Sequence, residues 1–399
     1  MKIKNAISNL LTYLSLIVCL SVQQYAVAQT HSSAQGKIIR IPFEASRFDT
    51  SQRKAEFLTY KGVHAMKILP VSSRQTRPIL LKDFNFTNGT IEFDARPVEG
   101  NYTDEMAINF HQKDNFNFES LYLRTQEDES LQRDDAIQYT PVISSVNLWD
   151  VMTPFRGYAL IHNKDWNHFK LIISGAQMLV YINSRDTPAL VVSRLEGNYA
   201  AGGISFDGEA IFANLVIRPD QTEGLSPAAG FDLTNNDPNY IRSWQVSYPR
   251  KLDKGRQLTE NDLPGDTVKW MPITAERRGL MNLYRKFEST ELTSYPVNNR
   301  YVWLKTVVKS SAKQTIKVDF GFNKEVYVFI NKRLLYEGKN EAGQRYAKNP
   351  GGRIAVTNAT IEIPLNQGDN EIIIGIAAPL YGWGIMARVE SLANLNIAN

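Results

Sequence analysis

The chain has a single cysteine, Cys19, in 399 residues. Beyond that position disulfides, zinc–thiolate centres and cysteine nucleophiles are excluded together. Histidine is scarce as well. His31, His64, His111, His162 and His168 form no His-x-His or His-x-x-x-His pair, so no imidazole metal site is expected. There is no Gly-rich phosphate loop, no Gly-x-Ser-x-Gly elbow and no run of Lys and Arg. Nucleotide chemistry, serine hydrolysis and nucleic-acid binding therefore lack support. The net charge is only +4, and Lys2 and Lys4 supply half of it. With 43% hydrophobic and 22% charged residues, neither a disordered chain nor a membrane bundle fits.

Lys2 and Lys4 open a basic segment, residues 6–22 are mostly apolar and uncharged, and Ala26-Val27-Ala28 places small residues at −3 and −1 of a cut before Gln29. This is the pattern of a secretory signal peptide spanning residues 1–28. Cys19 lies inside it behind Val18, where a lipoprotein signal wants a small residue, so lipidation is not expected. A mature chain without cysteine or a transmembrane segment fits a secreted or periplasmic bacterial protein, with cell-surface association open. The sequons at Asn85, Asn88, Asn101 and Asn358 matter only in a eukaryotic secretory route.

Apolar residues recur at period two in short runs separated by turn residues, and no amphipathic helix exceeds two turns. The expectation is an all-β chain of two β-sandwich jelly rolls in tandem. Strands are predicted over 90–95, 106–111, 121–124, 137–139, 169–174, 178–183, 189–192 and 211–217. A second series covers 301–309, 315–321, 325–331, 360–363, 370–377 and 385–389. Residues 218–229 hold two prolines, a glycine and few apolar groups, and read as a linker with few contacts. The domains expected are 38–219 and 231–397, joined by 220–230.

The run Phe86-Thr87-Asn88-Gly89-Thr90-Ile91-Glu92-Phe93-Asp94 resembles a strand of concanavalin A-like (laminin G-like) jelly rolls. So does Asp165-Trp166-Asn167-His168-Phe169-Lys170-Leu171 followed by Val180-Tyr181-Ile182-Asn183. Residues 320–331 and 363–372, with Asn331 and Pro364-Leu365, are similar to galactose-binding-like jelly rolls of exported glycan-utilisation proteins. The resemblance implies a fold shared by lectins, sugar-cleaving enzymes and adhesive modules, and the fold alone fixes no function.

Glucan-cleaving members of the concanavalin A-like fold carry paired acids on one strand. The nearest analogue here is Glu92 and Asp94, with Arg96 where a further acid is wanted. Glu92, Asp94 and His111 are the weak catalytic candidates. If Ile91, Phe93, Ile108, Phe110, Leu121 and Leu123 point inward, then Glu92, Asp94, Asn109, His111, Tyr122, Arg124 and Gln138 share the opposite face. Amides, a guanidinium and a phenol are groups that bind sugar hydroxyls. Trp149 and Tyr158 are placed to wall such a groove. In the second half Tyr381 and Trp383, set between glycines, either stack on a ring or plug the core; Trp244 reads as core. Asp134-Asp135 and Glu127-Asp128-Glu129 form a polar loop that is either solvated or offers oxygens to a structural calcium; no other cofactor is implied. A glycan is thus the expected partner of an exported carbohydrate-binding protein that assists polysaccharide recognition or degradation. A glycosidase or lyase using the first concave face and a structural or adhesive protein are the alternatives.

Overall fold

Strands form wherever the period-two runs lead to expect them, and the fold is all-β: among the described residues 28 strands build four sheets. The structure, a computed structural model, describes residues 36–70, 77–98, 105–125, 133–152, 154–183, 186–287, 299–378 and 381–397. The expected signal peptide, Cys19, His31, Asn101 and the acids Glu127, Asp128 and Glu129 lie outside the described residues. No helix among the described residues is long and apolar enough to cross a membrane.

The first sheet runs in the order Leu190–Val192, Gln177–Ile182, Asn167–Ser174, Gly89–Pro97, Ala210–Pro219, Val63–Ile68 and Ala55–Tyr60. The second runs Val146–Asn147, Ile137–Ile143, Asn117–Arg124, Glu105–Asp114, Gly203–Asp207, Ile79–Leu81 and Phe48–Asp49. Their inner faces meet as the alternation predicts: Ile91, Phe93, Ile108, Phe110, Leu121 and Leu123 are all buried. Phe93 stacks on Phe169 at 4.7 Å and meets Phe206 of the facing sheet edge-on at 5.7 Å, so aromatic contact ties the two layers.

Two further sheets come from the C-terminal half. One is ordered Trp270–Thr274, Ser243–Ser247, Arg300–Ser310, Gly368–Ala378, Lys324–Ile330 and Arg333–Asn340. The other is Met281–Asn282, Gly384–Val389, Gln314–Phe322 and Ala359–Leu365. Val302, Leu304, Val326, Val328 and Ile374 face Val318, Phe320, Ile361 and Ile385 in one apolar cluster. Trp244 belongs to this core, as expected, and so does Trp383.

The halves are not loosely strung. From Ile38 onward the described residues form one compact unit, and a continuous apolar cluster runs through both sandwiches. Leu148, Val151, Met152 and Phe155 of the first half join it with Leu280, Met281, Leu283 and Tyr284 of the second. The Tyr284 hydroxyl donates to the Ile143 carbonyl at 3.1 Å. The stretch read as a linker is also anchored. Thr90 Oγ1 donates to Gln221 O, Ala176 N donates to Pro227 O, and Gln177 Nε2 donates to Ala228 O, at 2.7–2.9 Å. Its composition suggested few contacts because backbone hydrogen bonds need no apolar side chain and leave no compositional trace.

Candidate functional site

The clearest site lies where the halves meet. An open cleft of about 480 Å³ is lined by Tyr122, Arg124, Asp135, Asn147 and Trp149 from the first sandwich. Ala342, Gly351, Arg353 and Tyr381 complete it from the second.

On the first side, the register of Asn117–Arg124 turns Tyr122 and Arg124 away from the core while Leu121 and Leu123 point in. The Arg124 guanidinium lies over the Tyr122 ring at 4.8 Å. It donates to Gln138 Oε1 at 3.0 Å, to Asp135 O at 2.9 Å and to the Tyr122 hydroxyl at 3.2 Å. Gln138 is fully buried, and its Nε2 donates to the Trp149 carbonyl at 3.0 Å. Tyr122, Arg124 and Gln138 do converge, with the buried Gln138 and Tyr122 beneath and Arg124 partly exposed at the wall of the cleft.

From the second side comes Arg353, a residue sequence reasoning passed over. Its guanidinium sits 5.0 Å from the Trp149 ring and donates from Nη2 to Asp135 Oδ2 at 2.7 Å. The loop that bears it is pinned by two buried amides. Asn340 Nδ2 donates to Phe322 O and Arg353 O, and Asn358 Nδ2 donates to Asn349 O and Arg353 O. Asn358, noted in the sequence only as a sequon, is buried and committed to this role. Asp135 gathers Arg353, Arg133 at 2.9 Å and Arg124 at 3.7 Å. Burial alone would raise its pKa, but hydrogen bonds from Arg133 and Arg353 and the Arg124 charge hold the carboxyl far below the usual range. The solvated loop and the calcium reading both missed this ion cluster, because Asp135 and Arg353 are 218 residues apart.

Trp149 and Tyr381 meet edge-on at 6.0 Å, one aromatic from each half. Tyr381 is 44% exposed and holds a left-handed φ of 64°, which costs a non-glycine residue roughly 1–3 kcal/mol and persists only where the surroundings impose it. The next residue, Gly382, is held by Asp150, the residue after Trp149. It is fully buried; its Oδ1 accepts from Gly382 N at 2.8 Å and its Oδ2 accepts from Asn323 Nδ2 at 3.1 Å. The buried Lys324 ammonium lies 3.4 Å from Oδ2. A Cβ at Gly382 would collide with the Asp150 carboxylate, so glycine is required there for close approach. Burial raises the Asp150 pKa, opposed by Lys324 and these hydrogen bonds.

Other candidates lie elsewhere. Trp383 is fully buried and so has no face to offer a ligand; the core alternative is the one realised. Asn109 is buried and donates to Ser205 Oγ at 3.1 Å. His111 is drawn inward because a register break after Phe110 interrupts the alternation; its φ is 48° and its Nε2 lies 2.8 Å from Thr87 O. Burial lowers its pKa. Glu92 and Asp94 belong to the first sheet, not the second, so the expected shared face divides in two. There His168 Nδ1 contacts Asp94 at 2.7 Å, Asn214 donates to Asp94, and Arg218 pairs with Glu92. Arg96, expected beside these acids, is buried and donates to the Tyr60 hydroxyl at 2.6 Å instead. Tyr158 is 57% exposed and does not line the cleft.

No family model matches the sequence, and no curated protein matches it. Among solved structures, a carbohydrate-binding module from Bacillus subtilis shares 17% identity and a TM-score of 0.29, over 41% of this chain and 92% of that one. A protein of unknown function with a galectin-like fold, also from Bacillus subtilis, shares 13% identity and a TM-score of 0.32, over 45% and 94%. A native glycosidic hydrolase shares 9% and 0.31, over 47% and 98%. Likenesses this faint carry no argument about this chain, whose fold rests on its own sheets.

Proposed function

We propose that the protein binds a glycan in the cleft between its two sandwiches and does not cleave it there. One observation carries the reading: Trp149 and Tyr381, from different halves, are brought together beside Tyr122, Arg124, Asn147 and Arg353. Aromatic rings match the apolar faces of pyranose rings, while guanidiniums and an amide supply donors and acceptors for hydroxyls. Cleavage by the usual glycosidase route needs two carboxyls, one of them protonated near neutral pH. Asp135 is the one carboxylate lining the described cleft, and its arginines keep it ionised. The likeness of residues 38–219 to concanavalin A-like jelly rolls and of 231–397 to galactose-binding-like ones supports the reading. The export signal expected over residues 1–28 supports it too, since an exported protein would meet polysaccharide.

The test is a glycan array probed with the parent protein and with Trp149→Ala and Tyr381→Ala. Both variants should lose at least tenfold in affinity for every glycan the parent retains, with melting temperature little changed for the exposed Tyr381. Binding that survives both substitutions, or release of shorter sugars from a bound glycan, would overturn the reading.

A further inference from the structure

Trp149 and Tyr381 line the cleft at a fixed angle to each other. Their ring centroids lie 6.0 Å apart and their planes are inclined by 73°. Each ring is backed by a buried cation. The Arg353 guanidinium sits over Trp149 at 5.0 Å, and the Lys324 ammonium sits over Tyr381 at 5.6 Å. A cation so placed holds its ring by attraction to the negative π-face, and the other face is the one a ligand can reach. Both cations are themselves tied down, Arg353 by Asp135 at 2.7 Å and Lys324 by Asp150 at 3.4 Å. The backbone behind Tyr381 is held as well, since Gly382 N donates to Asp150 Oδ1. The rings cannot turn into one plane without breaking these buried contacts.

A pyranose stacks by laying its apolar C–H face parallel to an aromatic ring. Two aromatics in one plane match a flat ribbon, whose successive sugars share a plane, or the face of a crystal. Two aromatics at 73° match neither, because a ribbon seated on Trp149 runs into Tyr381. A chain whose successive sugars are turned against each other can lay one on each ring. The size agrees: about 480 Å³ lies within the roughly 300–1,000 Å³ of ligand-sized pockets and admits a short stretch of one chain. From this we infer that the cleft selects a soluble glycan chain of helical or strongly curved conformation and rejects flat ribbon chains and crystalline polysaccharide. The inference rests on the binding role proposed above and names the class of chain.

Isothermal titration of the full chain provides the test, with hexasaccharides that differ in chain shape. Maltohexaose, laminarihexaose and a galactan hexasaccharide are curved; cellohexaose and mannohexaose are flat. At least one curved member should bind about tenfold more tightly than either flat one, the order expected of one ring contact. Microcrystalline cellulose should not retain the protein. Tyr381→Ala, at a residue 44% exposed, should bring the curved chain down to the level of the flat ones. Tyr381→Phe keeps the ring and should keep both the affinity and the preference. Flat chains bound as tightly as curved ones, or retention on cellulose, with either lost in Tyr381→Ala, would overturn the inference while leaving the cleft as a glycan site. Binding that persists undiminished in both Trp149→Ala and Tyr381→Ala, or no binding of any member of the panel, would overturn both.

Discussion

The outer faces of the two sheets of the first sandwich carry similar polar residues, and they differ in what lies over them. On the first sheet Glu92, Asp94 and His168 stay partly open to solvent and settle into local ion pairs. On the second, Asn109, Gln138 and Thr140 are buried, Tyr122 is 2% exposed, and the exit of the face is roofed by Trp149 and by Arg353 of the other half. The open face can pair charges only with its own neighbours, in high dielectric, where such pairs are worth little. The covered face has lost its water, so each of its polar groups must find a partner, and the groups at its rim become fixed in direction. A polar face becomes a site here through what covers it.

That contrast can be broken first at Asp150, the residue that fastens the roof. Asp150→Ala removes the partner of a buried ammonium and two hydrogen bonds, and should cost about 3–5 kcal/mol in urea unfolding. Because the apolar core is continuous, parent and variant should each unfold in a single transition. Two separate transitions, or a loss no greater than that of Glu92→Gln, would show that the halves are held otherwise.

A second lever is Glu119, a buried acid on the inner face of the same strand as Tyr122. It accepts from the Tyr139 hydroxyl at 2.7 Å and from Gly197 N at 2.9 Å, with no cation on its carboxylate among the described contacts. Burial pushes its pKa up to about 7, the opposite outcome from Asp135. A carboxyl whose folded pKa is raised holds its proton more tightly in the native state. Its contribution is present in full below the unfolded value and is lost as pH rises toward 7. At 1.36 kcal/mol per unit, stability should fall by about 3 kcal/mol between pH 4.5 and 7 from this group alone. Glu119→Gln should flatten that slope in chemical unfolding measured across the range; an unchanged slope would show that Glu119 is ionised in the fold.

The smallest effect belongs to the open face. Glu92→Gln and Asp94→Asn should each shift stability by less than about 1 kcal/mol and leave glycan affinity as it was. His168, whose pKa is raised by its hydrogen bond to Asp94, adds a stabilisation present below its ordinary titration range and lost as pH rises through the raised value. Its NMR titration should move back down in Asp94→Asn. A variant of this face that abolished binding would move the site to the first sheet.

Much of this was legible from residue order. Alternation of Leu121, Tyr122, Leu123 and Arg124 gives their directions without reference to anything distant, and the glycines beside Tyr381 and Trp383 mark a tight corner without saying which ring is exposed. The period-two rule failed at His111, where a bulge adds a residue without a glycine or proline to mark it. It was silent on Arg353, Asn323 and Lys324, whose meaning comes from partners 173 to 218 residues away in the other sandwich. Which sheet a strand joins is likewise not written in its own pattern, so Glu92 and Tyr122 looked like neighbours and are not.

The anchoring of Gly382 to Asp150 bears on how such a protein can be inherited. Recombination that exchanged either sandwich for another of the same architecture would preserve every strand and every turn and still discard the cleft proposed as the binding surface. The incoming half would lack the carboxylate, or the glycine able to approach it. Each sandwich keeps its own sheets, but the cleft belongs to neither alone.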